Sequence, residues 1–196
     1  INYVILAAGK GTRMRSAKPK VLHRLAGRSM LQHVVTAVDA LGESKKIIVT
    51  GHGAPLVEEQ FDDVNTLFVQ QKEQLGTAHA VQMALPALCD DAVVVVLYGD
   101  VPLIRPATIK RLLQVVGDKS IGLLTITLDD PQGYGRIVRN STGAITSIVE
   151  QKDASSEQLT INEVNTGVLA LSAKQLRQWL PKIDNNNAQG EYYLTD

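Results

Sequence analysis

The stretch that decides the fold is YVILAAGKGTRM, at residues 3–14. Its first part, residues 3–8, is a short apolar run typical of a buried strand, and it ends at a glycine. Working outward, further strands are predicted at residues 46–50, 66–70 and 92–98, and helices at residues 30–41, 55–61, 77–88 and 106–117. Ser29 is the predicted N-cap of the first helix. Strand alternating with helix predicts a parallel sheet with right-handed crossovers.

The pattern changes after residue 120. Strands at residues 121–128, 136–139, 144–150 and 167–171 are separated by turn signals, and helices are predicted at residues 172–180 and beginning at residue 191. We therefore expect one domain over residues 1–196, with a nucleotide-binding part at 1–120 and a mixed β part at 121–196. Met14, Met30 and Met83 are expected in the core.

Composition excludes several classes of protein. A chain of 196 residues, 44% of them hydrophobic, can build a sizeable core and is not typical of a disordered protein. Its zero net charge argues against a dedicated nucleic-acid-binding protein, and no apolar run is long enough to span a membrane. The single cysteine, Cys89, excludes an internal disulfide, so a cytoplasmic location is expected.

Three strand ends carry residues that could bind a ligand. For each of them a purely structural role is the alternative. Residues 6–14 combine glycines with cations in an acid-free segment; they could cradle a phosphate or form a solvated basic turn, and they match neither Walker A nor G-x-G-x-x-G. Asp100 could hold Mg²⁺ or cap a turn. The loop at residues 70–77 could bind uracil or thymine or be an ordinary polar loop. The scattered histidines lack zinc-ligand spacing.

The combination of motifs resembles the sugar-1-phosphate nucleotidyltransferases. Later segments narrow the resemblance: GYGRI at residues 133–137, IVE at 148–150, NTG at 165–167 and NNNAQGEYYLTD at 185–196. Together they resemble the N-terminal uridyltransferase half of the bacterial bifunctional N-acetylglucosamine-1-phosphate uridyltransferase/glucosamine-1-phosphate acetyltransferases. The resemblance implies a Rossmann-like α/β fold, with a mostly parallel sheet, helices on both faces and a mixed β sugar-binding part.

The resemblance also implies roles for particular residues. Arg13 and Lys20 would neutralise the triphosphate as catalytic groups, and Asp100 would bind Mg²⁺. The other implied nucleotide-binding residues are Leu6, Ala7, Ala8, Gly9, Gln71, Gly76, Thr77, Tyr98 and Gly99, with Gln71 and the backbone of Gly76 and Thr77 contacting uracil. The implied sugar-binding residues are Gly135, Glu150, Asn165, Tyr193 and Thr195.

The implied reaction transfers UMP from UTP to N-acetylglucosamine 1-phosphate, giving UDP-N-acetylglucosamine, a peptidoglycan precursor, and pyrophosphate. Alternatives are a related transferase with another base or sugar, and a non-catalytic nucleotide-sugar sensor. The family continues with an Asn that is a second metal ligand and with a β-helix acetyltransferase domain through which full-length relatives oligomerise. The chain is therefore expected to be incomplete at its C-terminus and to lack acetyltransferase activity.

Overall fold

A computed structural model describes residues 1–9, 11, 14–61 and 63–196. The strands are β1 (Asn2–Ala7), β2 (Arg24–Leu25), β3 (Arg28–Ser29), β4 (Lys45–Thr50), β5 (Thr66–Gln70), β6 (Val93–Tyr98), β7 (Gly122–Thr127), β8 (Arg136–Arg139), β9 (Ile145–Val149) and β10 (Glu163–Ser172). The α-helices are α1 (Met30–Asp39), α2 (Ala54–Glu58), α3 (Thr77–Ala84), α4 (Pro106–Gln114) and α5 (Ala173–Trp179). The main sheet has the order β5-β4-β1-β6-β10-β8-β9, with β7 also paired to β10.

The centre of the sheet is parallel, as predicted. Strands β5, β4, β1 and β6 lie side by side in the same direction, and Val4 of β1 is level with Ile47 of β4 and Val96 of β6. These residues are fully buried, as expected for a parallel sheet covered on both faces. The carboxyl ends of the four strands therefore meet at one edge.

Helices cover both faces of the sheet, which confirms the predicted architecture. Alternate residues of β1 belong to two separate cores: Tyr3 packs with side chains of α1 and α4, and Val4 packs with side chains of α3 and α5. Ser29 caps α1 as predicted, because its side chain accepts a hydrogen bond from the backbone of Gln32.

Strand β10 joins the later, antiparallel part of the sheet to the parallel centre. It pairs antiparallel with β6, β7 and β8, and its register with β7 shifts between Asn165 and Leu169. Gly167 lies at this irregularity with a φ of +80°. A Cβ built on it would lie 2.6 Å from the ring of Tyr98, so only glycine allows the two strands to approach so closely here.

Several local predictions were wrong. Residues 191–196 form no helix, since their backbone bonds to other loops: Tyr192 N–H donates to Leu75 O at 2.8 Å. Met14 is exposed rather than in the core, and Met30 and Met83 are half-buried. Pro86, by contrast, ends or bends the predicted helix as expected from the sequence, since α3 ends at Ala84 and a 3-10 turn follows over Leu85–Ala87. Strand β10 is longer than the predicted residues 167–171.

No described helix is long and apolar enough to cross a membrane.

Candidate active site

A cleft of about 910 Å³ opens at the carboxyl ends of β1, β5 and β6. Ligands of open α/β sheets bind at this edge. The residues lining the cleft are Leu6, Ala7, Ala8, Gly9, Gly11, Met14, Lys20, Val21, Gln71, Gln74, Gly76, Thr77, Ala80, Tyr98, Asp100, Gln132, Gly133, Tyr134 and Glu191.

Gln71 is a buried residue whose side-chain amide has one polar atom without a hydrogen bond to the described residues. Its Nε2 donates to the carbonyl oxygen of Gly76 at 3.2 Å and contacts Nδ1 of His79 at 3.0 Å. This orientation of the amide is assigned from its hydrogen bonds. The carbonyl oxygen Oε1 has no hydrogen bond to the described residues, and Gln71 lines the cleft while being only 3% exposed. The cleft therefore contains a fixed hydrogen-bond acceptor at its β5 end.

The loop that follows β5 is fixed by residues far along the chain. Tyr192 N–H donates to Leu75 O at 2.8 Å, and Tyr192 O accepts from Ala78 N–H at 2.9 Å. Leu194 N–H donates to the hydroxyl of Thr77 at 3.0 Å. Gly76 has a φ of +122° and sits directly against Tyr192. The segment at residues 191–194 thus supports the wall of the cleft that contains Gly76 and Thr77.

Lys20 and Asp100 form an ion pair inside the cleft. Lys20 Nζ lies 2.6 Å from Asp100 Oδ2, and both side chains remain partly accessible. Asp100 is the second residue after β6, and the first, Gly99, donates its N–H to Leu6 O at 2.9 Å, which connects this turn to β1. A Cβ on Gly11 would lie 2.9 Å from Cβ of Lys20, so the glycine loop passes close to the lysine.

The carboxylate of Asp100 suits a divalent metal that is held mainly by a substrate. It already binds one cation, the ammonium of Lys20, at the surface of the cleft. Within the described part of the chain, no cluster of three or more His, Cys, Asp or Glu side chains could hold a metal. Mg²⁺ commonly takes one or two protein carboxylates and completes its coordination with phosphate oxygens and water.

Tyr98 stands between the two ends of the cleft as a neutral phenol. Burial raises the pKa of Tyr98 to about 12, with smaller contributions from the negative charges of Asp100 and Glu150. The hydroxyl therefore keeps its proton at neutral pH and can donate a hydrogen bond. The ring of Tyr98 also lies against Gly167 of β10, since a Cβ built on that glycine would lie 2.6 Å from it.

Gly135, Glu150 and Asn165 lie together beyond Tyr98. A Cβ on Gly135 would lie 2.8 Å from Oε1 of Glu150, and Asn165 N–H donates to Gly135 O at 2.9 Å. Burial raises the pKa of the Glu150 carboxyl above its usual value, and the charges of Asp196 and Asp153 add to the effect. Glu150 is half-buried and forms no ion pair with the cations that the structure describes, so its carboxylate can accept hydrogen bonds from hydroxyl groups.

Tyr193 and Thr195 lie outside the lining of the cleft. Tyr193 is buried, its hydroxyl accepts a hydrogen bond from Nε2 of Gln189, and burial raises the pKa of its phenol. Thr195 is half-buried. Neither side chain lines the cleft.

The structure brings together most of the residues singled out from the sequence. Those named for the nucleotide line the cleft except Gly99, which lies behind its wall, while Arg13 lies outside the described residues. None of the residues named for the sugar lines the cleft, and of these Gly135, Glu150 and Asn165 contact one another. Lining residues that the sequence did not assign include Gln74, Gln132 and Glu191. The motif at residues 133–137 could have indicated the loop beside Gln132.

Comparison with known proteins extends these findings. The profile of the MobA-like NTP transferase domain matches residues 3–157. The proteins named "Bifunctional protein GlmU" from Cellvibrio japonicus and Pseudomonas putida F1 are 55% and 59% identical to this chain over its whole length. The chain spans 43% of the length of each of these relatives.

Solved structures share the fold. A UDP-glucose pyrophosphorylase complexed with UDP-glucose matches all of this chain and 84% of its own with a TM-score of 0.78 at 19% identity. A nucleotidyl transferase from Methanothermobacter thermautotrophicus matches 97% of this chain and 77% of its own with a TM-score of 0.65 at 24% identity. The predicted nucleotidyltransferase fold and the resemblance read from the motifs are confirmed.

Proposed function

This chain belongs to the MobA-like NTP transferase family, and on that premise we propose that it transfers UMP from UTP to N-acetylglucosamine 1-phosphate. The products are UDP-N-acetylglucosamine and pyrophosphate. The observation that carries the proposal is that one cleft contains both the buried amide of Gln71 and the Lys20–Asp100 pair. The relatives named GlmU, bifunctional proteins of greater length, support the choice of reaction.

Gln71 supports uracil as the base. Uracil presents an N–H donor between two carbonyl acceptors, so it needs an acceptor flanked by donors. The free carbonyl oxygen of Gln71 would accept from the uracil N3–H, and backbone N–H groups of Gly76 and Thr77 would donate to a uracil carbonyl. Cytosine presents an acceptor at N3 and would leave the Gln71 oxygen opposite another acceptor. We therefore infer that UTP binds better than CTP.

The phosphates would lie between β1 and β6, with Arg13 and Lys20 as their cations. The segment from Leu6 to Gly9 lines the cleft beside Lys20, so its backbone can approach phosphate oxygens without obstruction by a side chain at Gly9. Lys20 would exchange its bond with Asp100 for a phosphate oxygen. Arg13 can contribute a planar set of donors.

Asp100 would hold Mg²⁺ together with the phosphates. When bound, the metal would neutralise the negative charge that builds on the α-phosphate and on the pyrophosphate. The protein itself needs no general base, since the attacking phosphate oxygen is already anionic at neutral pH. Its task is to hold two anions in line for attack against their mutual repulsion.

The sugar would occupy the end of the cleft beyond Tyr98. Glu150 and Asn165 offer oxygens for sugar hydroxyls and for the acetamide N–H, and Gly135 leaves room beside Glu150. Tyr193 and Thr195 would support this end from behind.

Localisation in the cytoplasm follows from the role proposed, because both substrates are cytoplasmic metabolites of bacteria.

Pyrophosphate release tests the proposal. The chain is incubated with Mg²⁺, one of UTP, dTTP, CTP, ATP or GTP, and one of several sugar 1-phosphates. We expect the highest kcat/KM for UTP with N-acetylglucosamine 1-phosphate. A clear preference for another base or sugar would replace this assignment with a related transferase, and binding of UDP-sugars without pyrophosphate release from any pair would indicate a sensor.

Asp91→Asn is a matched control for Asp100→Asn. Asp91 precedes β6 and Asp100 follows it, so the two carboxylates lie beyond opposite ends of a strand that is about 20 Å long. Asp91→Asn should leave pyrophosphate release unchanged. If both variants lose activity equally, the loss does not report on the cleft.

A further inference from the structure

Arg136 is an enclosed cation that the proposed reaction does not use. It is the first residue of β8, is 2% exposed, and lies opposite Val149 of β9 and Val164 of β10. None of the ion pairs formed among the described residues includes it. Burying a guanidinium without a carboxylate costs free energy that an apolar side chain of similar size would avoid. A cation buried at this cost is a candidate for a specific role.

The guanidinium binds neutral acceptors that belong to a loop of the cleft. Nη1 of Arg136 donates to the backbone carbonyl of Tyr134, and Nη2 donates to Oε1 of Gln151 at 3.4 Å. The same Oε1 accepts the backbone N–H of Gly133. Arg136 and Gln151 therefore hold two consecutive residues of one loop, one through its carbonyl and one through its N–H.

That loop, residues 132–134, forms part of the wall of the cleft. It is exposed, Gly133 has a φ of +87°, and its other hydrogen bonds stay within the turn itself, such as Tyr134 N–H to Pro131 O at 3.2 Å. Among the described contacts, only the Arg136 and Gln151 side chains connect these three residues to the rest of the sheet by hydrogen bonds.

Arg136 acts from behind this wall. Successive residues of a strand face opposite sides, and Gly135 faces Glu150 within the sugar end. Arg136 accordingly points away from Glu150, and it does not line the cleft. Any effect on a ligand must therefore pass through the loop.

We propose that Arg136 and Gln151 are positioning residues that fix the 132–134 loop and thereby set the affinity for the sugar 1-phosphate rather than for the nucleotide. This assignment of substrates rests on the proposed function. The loop precedes Gly135 and lies beside the sugar end, whereas the walls assigned to uracil and triphosphate come from β1, the loop after β5 and the turn after β6. We call the hydrogen bonds from Arg136 and Gln151 to this loop the clamp. Loss of the clamp should leave the walls assigned to uracil and triphosphate intact.

The test uses variants of Gln151, which is half-buried and so less demanding for folding than Arg136. Gln151→Glu keeps the acceptor and adds a charge that complements Arg136, while Gln151→Leu removes the acceptor. Arg136→Lys keeps the charge but loses the fork that reaches both partners. Gln178→Leu, an exposed residue of α5, is the matched control for an apolar replacement.

Two measurements are made on each variant. Hydrogen exchange of the Gly133 and Tyr134 amides, without ligand, should be faster in Gln151→Leu and unchanged in Gln151→Glu. The KM for N-acetylglucosamine 1-phosphate should rise roughly tenfold in Gln151→Leu, the size expected when one hydrogen bond to a charged group is lost, while the KM for UTP stays constant. Arg136→Lys should behave as Gln151→Leu does.

The outcomes separate the two proposals. Faster exchange in a chain that turns over no sugar phosphate would keep the clamp and remove the proposed function. Unchanged exchange in Gln151→Leu would overturn the clamp, whatever the activity. Equal rises in both KM values, or a change matched by Gln178→Leu, would overturn the claim that the clamp acts on the sugar end.

Discussion

Replacing Gly76 by alanine should destabilise the chain and damage the proposed uracil site together. A Cβ at this position would lie 2.4 Å from the carbonyl oxygen of Tyr192 and 2.7 Å from its nitrogen. Both atoms are already engaged, since Tyr192 N–H bonds to Leu75 and Tyr192 O bonds to Ala78. The clash is with backbone, so no side-chain rotation can relieve it.

The magnitude follows from three contributions. A non-glycine residue at the φ of +122° and ψ of 178° of Gly76 costs about 1–3 kcal/mol, and each of two disrupted backbone hydrogen bonds costs about 1 kcal/mol. Restricting the unfolded chain returns about 0.4–1 kcal/mol. We expect Gly76→Ala to lower the free energy of unfolding by about 2–5 kcal/mol.

Gly143→Ala is the control. Gly143 also has a positive φ, +83°, but a Cβ there would meet nothing within 4 Å. It lies in the turn between β8 and β9, away from the residues that line the cleft. This variant should carry the backbone strain alone, about 1 kcal/mol or less.

Urea unfolding of both variants and calorimetric titration with UTP measure the two effects. Gly76→Ala should be the less stable by about 2 kcal/mol and should bind UTP more weakly, whereas Gly143→Ala should bind UTP normally. Equal free energies of unfolding for the two variants would refute the reasoning, because the contact with Tyr192 would then have no energetic weight.

Three further predictions concern the charged groups of the cleft. Asp100→Asn should lower kcat by roughly a hundredfold or more, the effect of losing one electrostatic contact to the transition state, while UTP binding measured by calorimetry persists; unchanged kcat at limiting Mg²⁺ would remove Asp100 from the site. Lys20→Met should weaken UTP binding about tenfold, whereas Glu150→Gln should leave it unchanged. Equal losses of UTP affinity in the same titration would contradict the assignment of Lys20 to the nucleotide and of Glu150 to the sugar. Burial and the neighbouring charges of Asp196 and Asp153 raise the pKa of Glu150, so its charged form opposes folding. Glu150→Gln should therefore raise the Tm at pH 8, and this advantage should shrink as the pH falls through the raised pKa of the wild-type carboxyl; a constant difference in Tm from pH 8 to pH 4 would argue against burial of the charge.

The parallel half of the sheet could be predicted from the sequence because its signals are local. Strands β1, β4 and β6 are apolar runs buried on both faces, β5 is a partly exposed edge strand, and all four lie within one residue of the predicted bounds. Ser29 is likewise a local N-cap signal. The three strand ends singled out from the sequence, at residues 6–14, at Asp100 and at residues 70–77, all contribute residues to the lining of the cleft.

The 191–194 segment could not be predicted because its conformation depends on partners far along the chain. Residues 191–196 have a composition compatible with a helix start, but Tyr192 and Leu194 bond to the loop that contains Leu75 and Thr77 instead. These long-range hydrogen bonds replace the bonds that a helix would make.

Arg136 was missed for a different reason. A charged residue at the start of a short strand is expected at the surface, and only the contact of β8 with both β9 and β10 encloses it. Strand β10 was predicted too short because Gly167 lies in its middle and glycine reads locally as a strand boundary. The packing of Gly167 against Tyr98 is a tertiary contact. In each case a non-local contact decides the structure.

A crystal structure of this chain with UDP-N-acetylglucosamine tests the central claim most directly. The account predicts uracil N3–H bonded to Oε1 of Gln71, the diphosphate beside Lys20 and Asp100, and the sugar beyond Tyr98 with its hydroxyls toward Glu150. A ligand bound in the reverse direction, with uracil at Glu150, or bound outside the cleft altogether, would contradict it.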